Sequence, residues 1–126
     1  TAGGEPMPAN LTGTVNGDIF SSPDGLAFDA AGRLWIQTDY DDEEAPMQGM
    51  GCNMMLCADP ATREVRRFMV GPRGCEITGL AWSPDGKAMW ANIQHPSLSY
   101  PASDGRSRPR STTVLVTRID GGVIGS

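Results

Sequence analysis

Residues 74–96 read GCEITGLAWSPDGKAMWANIQHP, and the fold follows from this stretch. Two strand-forming runs, Thr78 to Trp82 and Ala88 to Ile93, flank Ser83-Pro84-Asp85-Gly86, which predicts a tight hairpin turn. Proline holds φ where the turn needs it, and glycine takes the positive-φ position that other residues avoid. A hairpin sets its two open ends side by side. Here those ends carry Cys75 and Glu76 on one strand and Gln94 and His95 on the other. A carboxylate and an imidazole, distant in sequence, are therefore expected at one sheet edge, and that edge is the candidate site.

An earlier segment repeats the plan. Gly25-Leu26-Ala27-Phe28, then Gly32-Arg33, then Leu34-Trp35 parallels Gly79-Leu80-Ala81-Trp82, then Gly86-Lys87, then an apolar run reaching Trp90, once one extra residue is allowed in the second turn. Further strand candidates follow each copy: Met54 to Cys57 and Glu64 to Val70 after the first, Thr113 to Arg118 after the second. Repeats at this spacing point to a propeller or array built from small sheets of about four strands. The expected fold class is all-β, with antiparallel propeller-like blades, one to two of them in this chain. Residues 1–19 read as a lead-in rich in Gly, Pro and Thr; the blades are expected at about 20–70 and 71–126.

Composition agrees with this reading. The chain has 126 residues, 16 glycines and 10 prolines, which suits a turn-rich β protein, and it contains no amphipathic helical run of convincing length. A closed propeller needs roughly four blades or more, so one domain's worth of chain points to an open piece. The net charge of -5 leaves no basic stripe for a nucleic-acid backbone and is compatible with cation binding. No apolar run approaches the roughly 20 residues of a bilayer span, and no signal peptide opens the chain at Thr1. Cys52, Cys57 and Cys75 cannot all pair within one chain, and with one histidine their spacing matches no common zinc pattern.

Several stretches admit two readings. The strand Leu34 to Thr38 runs into Asp39-Tyr40-Asp41-Asp42-Glu43-Glu44, where five carboxylates in six positions repel one another unless cations or solvent relieve them. As a run this is a solvated loop; Asp39 alone, ending a strand at the same edge as Glu76, is a candidate ligand. Met47, Met50, Met54 and Met55 are read as core or loop packing in preference to a soft binding surface. Arg106, Arg108 and Arg110 form either a solvated loop or a set of guanidinium contacts to phosphate. Charges on Arg63, Glu64, Arg66 and Arg67 fit an exposed sheet edge.

Taken together, Ser22-Pro23-Asp24-Gly25-Leu26, Leu34-Trp35-Ile36-Gln37-Thr38-Asp39, Gly71-Pro72-Arg73-Gly74-Cys75-Glu76-Ile77-Thr78-Gly79, Asn92-Ile93-Gln94-His95-Pro96 and Arg108-Pro109-Arg110-Ser111 resemble the C-terminal part of the PhoX-type bacterial alkaline phosphatases. The resemblance covers about residues 20–125, and Glu-Ile-Thr-Gly followed by Asn-Ile-Gln-His-Pro is its most specific part. It implies a fragment of a six-bladed propeller belonging to a phosphomonoesterase, exported to the periplasm or beyond, with calcium and iron in a carboxylate-rich site at the channel mouth.

Carried onto this chain, the resemblance implies Glu76 and Asp39 as metal ligands, with His95 and Gln94 close by. Arg108 and Arg110 would then steer a phosphate ester. Such enzymes are several times longer, so the chain is expected to be an incomplete piece, completed by missing blades or by homo-oligomerisation; three copies of two blades would make six. The alternative function is a non-catalytic propeller module that self-associates. No catalytic nucleophile is singled out.

Overall fold

The computed structural model describes residues 15–41, 49–97 and 99–126. Among them are eight strands and no helix: β1 (Asn16–Gly17), β2 (Pro23–Phe28), β3 (Leu34–Thr38), β4 (Met54–Asp59), β5 (Glu64–Val70), β6 (Glu76–Trp82), β7 (Ala88–Gln94) and β8 (Thr112–Thr117). They form two sheets, a five-stranded one in the order β1-β5-β4-β3-β2 and a three-stranded one in the order β6-β7-β8. Within each sheet, consecutive strands from β2 onward pair antiparallel with their chain neighbours. The architecture is all-β and propeller-like, and it stays open.

Turn chemistry sets the hairpins. In the β6–β7 turn Gly86 takes a φ of 68°, and the Asp85 carboxylate accepts from the Ser83 hydroxyl at 2.6 Å and the Lys87 amide at 3.1 Å. In the β2–β3 turn Gly32 takes a φ of 81°, while Asp29 accepts the amides of Ala31 and Arg33 at 2.9 and 3.0 Å. The sequence motif repeats because the local problem repeats.

The two sheets pack through one apolar cluster. Trp35 and Met55 of the first sheet meet Ile77, Met89, Ala91 and Ile93 of the second, with Cys75 and Ile124 completing the cluster. Trp35 touches Trp82 edge-on, the ring centroids 5.9 Å apart, and Phe68 at 4.9 Å. Because side chains alternate along a strand, Ile36 points to the other face of β3. There it joins Met54, Leu56 and Val65 under Tyr40 and Met50. Met50, Met54 and Met55 are thus core residues; Met47 lies outside the described residues.

Several details differ from the sequence reading. β1 falls inside the segment read as a lead-in and adds a parallel pairing to β5. β4 runs two residues further than expected, and β8 starts and ends one residue earlier. Bulges interrupt the registers at Thr78/Leu80 and Met55/Leu56. The carboxyl-terminal turn is fastened beneath the hairpins: Ile124 donates to the Gly86 carbonyl at 2.9 Å, and Arg33 donates to the carbonyls of Ile124 and Gly125. None of the three cysteines is joined in a disulfide.

Candidate functional site

Glu76 opens β6 and Gln94 closes β7, and the register pairs them directly. The Glu76 side chain is mostly buried at this edge, so its carboxylate needs donors. Gln94 supplies one, from Nε2 to Oε2 at 2.8 Å. His95 Nε2 lies 3.2 Å from the same oxygen. The chain leaves β7 sharply here: His95 has a φ of 35°, uncommon for a residue with a side chain, and its amide donates to the Ser111 hydroxyl at 3.0 Å. A partner from the β7–β8 connection thus holds the His95 backbone in this conformation, while the imidazole, which remains largely exposed, meets Glu76.

A second network fixes the floor of the site. Asn53, buried just ahead of β4, donates through Nδ2 to the carbonyls of Tyr40 and Cys75, both at 2.8 Å, and accepts at Oδ1 from the Tyr40 amide at 3.0 Å and the Thr38 hydroxyl at 2.9 Å. One amide thereby ties the end of β3 to the residue before Glu76. Between these elements lies a cavity of about 270 Å³ lined by Asp39, Tyr40, Asp41, Asn53, Gly74, Cys75 and His95. Asp39 and His95 thus line one cavity, and His95 links it to Glu76, which is not among the lining residues.

The remaining candidates separate from this group. Arg108 and Arg110 are exposed in the β7–β8 connection, where the Arg110 amide donates to the Tyr100 carbonyl. That connection is organised by Asp104, which accepts from the amides of Arg106 and Ser107 and the Ser107 hydroxyl; these bonds hold its carboxyl down to about 2. Of the acidic run, Asp42, Glu43 and Glu44 lie outside the described residues. Asn53, Thr38 and Ser111 were not singled out from sequence. The one available signal was a lone asparagine directly before a strand.

Calcium takes about six to eight oxygen ligands, and iron sites of this kind also use several carboxylate or imidazole donors. Among the described residues no group of three His, Cys, Asp or Glu side chains stands close enough to hold a metal ion. The buried side-chain atoms left without a partner there, Gln37 Nε2 and Trp82 Nε1, are N–H groups, which cannot ligate a cation. The described residues therefore do not make a complete calcium or iron site. What they bring together is a carboxylate held by Gln94, an imidazole within 3.2 Å of it, and an aspartate lining the same cavity as that imidazole.

The chain is similar to known proteins over most of its length. The family model described as alkaline phosphatase PhoX matches residues 1–97. The structure of Pseudomonas fluorescens PhoX in complex with vanadate, a transition state analogue, matches with a TM-score of 0.80 and 52% sequence identity over 86% of this chain. The chain spans 20% of that protein's length. No curated protein sequence matches it.

Proposed function

Because the chain belongs to the PhoX alkaline phosphatase family, we propose that it is an incomplete segment of an exported, metal-dependent phosphomonoester hydrolase and supplies one wall of the phosphate site. The observation that carries this reading is the convergence of Gln94 and His95 on Glu76 Oε2 beside the cavity that Asp39 lines. The relative's vanadate complex supports a tetrahedral or trigonal oxyanion as the ligand class. In this reading Gln94 fixes Glu76, and Glu76 in turn orients His95 toward the bound phosphate ester. Glu76 and Asp39 are the residues of this chain that would join a calcium and iron set, which would need further ligands from other parts of the enzyme. Those ions, when bound, supply neutralisation of the phosphate oxygens. Arg108 and Arg110 draw the anion in from the exposed connection.

Titration with inorganic vanadate, in the presence of calcium and ferric iron, tests the assignment. Saturable binding by the parent chain that is lost in Glu76→Gln and weakened in His95→Ala is the expected result, with turnover of a generic phosphomonoester weak or absent. A parent chain that neither binds vanadate nor hydrolyses the ester overturns the phosphatase reading in favour of a non-catalytic propeller module, which the lack of a three-ligand metal group among the described residues would suit.

A further inference from the structure

Asn53 lines the cavity beside His95, yet its side chain has nothing left to offer a ligand there. A side-chain amide has two N–H donors and two acceptor sites on its oxygen. In Asn53 all of these are taken: Nδ2 donates to the carbonyls of Tyr40 and Cys75, and Oδ1 accepts from the Tyr40 amide and the Thr38 hydroxyl. The residue is 2% exposed. Its role therefore lies in what it holds.

What it holds are the flanks of both candidate carboxylates. Thr38 and Tyr40, buried on either side of the exposed Asp39, are gripped by the same amide group. Cys75, which takes the other N–H, directly precedes Glu76. The main chain of Asn53 adds a further tie: its carbonyl accepts the Gly71 amide at 2.9 Å, so the loop 71–75 leading into Glu76 is fastened at both ends to one residue. The middle of that loop in turn holds the segment after His95, since the Arg73 carbonyl accepts from the Ser97 amide at 3.0 Å and from the Ser97 hydroxyl at 2.7 Å.

From this we propose that Asn53 is a positioning residue, which sets the Asp39 segment at the end of β3 against the Glu76, Gln94 and His95 group of the second sheet and so fixes the geometry of the anion site between them. It acts through the backbone on either side of the carboxylates and touches no substrate. A single buried amide suits this task, because its planar donors and acceptors hold several chain segments at set distances where water cannot substitute. The proposal deepens the phosphate-site reading and rests on it for the effect on binding; the placing itself is measured without ligand.

Three variants of the full chain test it: Asn53→Ala; Thr38→Val, close to the parent in shape, which removes the hydroxyl tie next to Asp39; and Asp29→Asn, which loosens the turn end of the β2–β3 hairpin, away from the site. The carboxyl carbon resonances of Asp39 and Glu76 and the ring resonances of His95 are followed without ligand, at a temperature where circular dichroism shows intact sheets. Vanadate affinity is then measured in the presence of calcium and ferric iron. Asn53→Ala is expected to shift all three sets of resonances and to weaken vanadate binding about tenfold or more. Thr38→Val is expected to shift Asp39 while Glu76 and His95 hold, with a smaller loss of affinity, and it decides the matter where Asn53→Ala does not stay folded. Asp29→Asn is expected to lose stability and keep the parent's resonances and affinity. Unmoved Asp39 resonances in Asn53→Ala or Thr38→Val overturn the proposal, as does parent vanadate affinity in a shifted variant. Equal shifts in Asp29→Asn overturn it as well, since they would mark general loosening. A parent chain that binds no vanadate overturns the phosphatase reading alone, because the ligand-free resonances still decide what Asn53 places.

Discussion

Asn53 donates a 2.8 Å hydrogen bond to the carbonyl of Cys75 from 22 residues away, and this bond joins the two sheets immediately beside Glu76. The same amide group satisfies Tyr40 at both its carbonyl and its amide. Its surroundings are buried, so water cannot replace what a substitution removes.

Asn53→Ala is therefore expected to cost about 2–4 kcal/mol in chemical denaturation, as several buried backbone groups lose their partner at once. Asn53→Asp is the sharper variant, because a carboxylate has no N–H to offer the two carbonyls and would face them with negative charge. It should be at least as destabilising as alanine at neutral pH despite near-identical shape. Equal stability of Asn53→Asp and the parent would show that the amide does not carry the connection.

Trp35 is the apolar counterpart of that joint. It is fully buried, meets Trp82 and Phe68 edge-on, and donates from Nε1 to Asp29 at 2.9 Å. Truncation to alanine removes the largest side chain from the inter-sheet cluster and leaves Asp29 short of a donor. Trp35→Ala should cost roughly 3–5 kcal/mol, and Trp35→Phe appreciably less, read as a shift in the denaturation midpoint. Similar losses for the two would mean that the hydrogen bond, and not the packing, dominates.

What could be read from sequence divides along the range of the interaction. Both hairpins were legible because Pro84-Asp85-Gly86 and Asp29 to Gly32 are local devices, and once a turn fixes the register the strand ends must meet. That is why Glu76 could be placed beside Gln94 and His95 without coordinates. The strand β1 was not legible: two residues, Asn16 and Gly17, form a parallel pairing with β5 that no local pattern announces. Nor was Asn53, whose partners come from both sheets. The repeat also concealed an asymmetry, since Trp35 and Trp90 occupy like positions in like hairpins, yet among the described residues only Trp35 is buried against the other sheet.

Gly71 allows the chain to pass close beneath β6. A Cβ there would come within 2.3 Å of Cys75 Sγ and 2.7 Å of Ile77 Cδ1, and both residues are buried. Neither can retreat into solvent. Gly71→Ala is expected to destabilise by about 1–3 kcal/mol through overpacking and, because Cys75 and Ile77 flank Glu76, to shift the His95 ring resonances as well. An alanine variant with parent stability and unchanged resonances would show that this crossing is looser than the distances require.

Asp29 gives the fold a defined response to acid. Burial pushes its carboxyl up, but the hydrogen bond from Trp35 and those from the Arg33 backbone and side chain, with the nearby guanidinium charge, more than offset this, so it lies below the ordinary value of 3.8. The Arg33 contact is 2.7 Å, and both side chains are largely shielded from solvent. A group with a lowered native pKa contributes stability that is complete above its unfolded value and is lost as pH falls through the native one. Stability attributable to Asp29 should thus be flat above about pH 5 and decline below the ordinary carboxylate value. Asp29→Asn removes the titration while keeping an acceptor for Trp35 or the turn. It is expected to cost roughly 2–3 kcal/mol at pH 7, with the gap to the parent narrowing on acidification. Because Arg33 also holds the carbonyls of Ile124 and Gly125, the same variant should speed amide exchange in the carboxyl-terminal turn. A gap that stays constant down to pH 2 would mean that Asp29 acts by shape and not by charge.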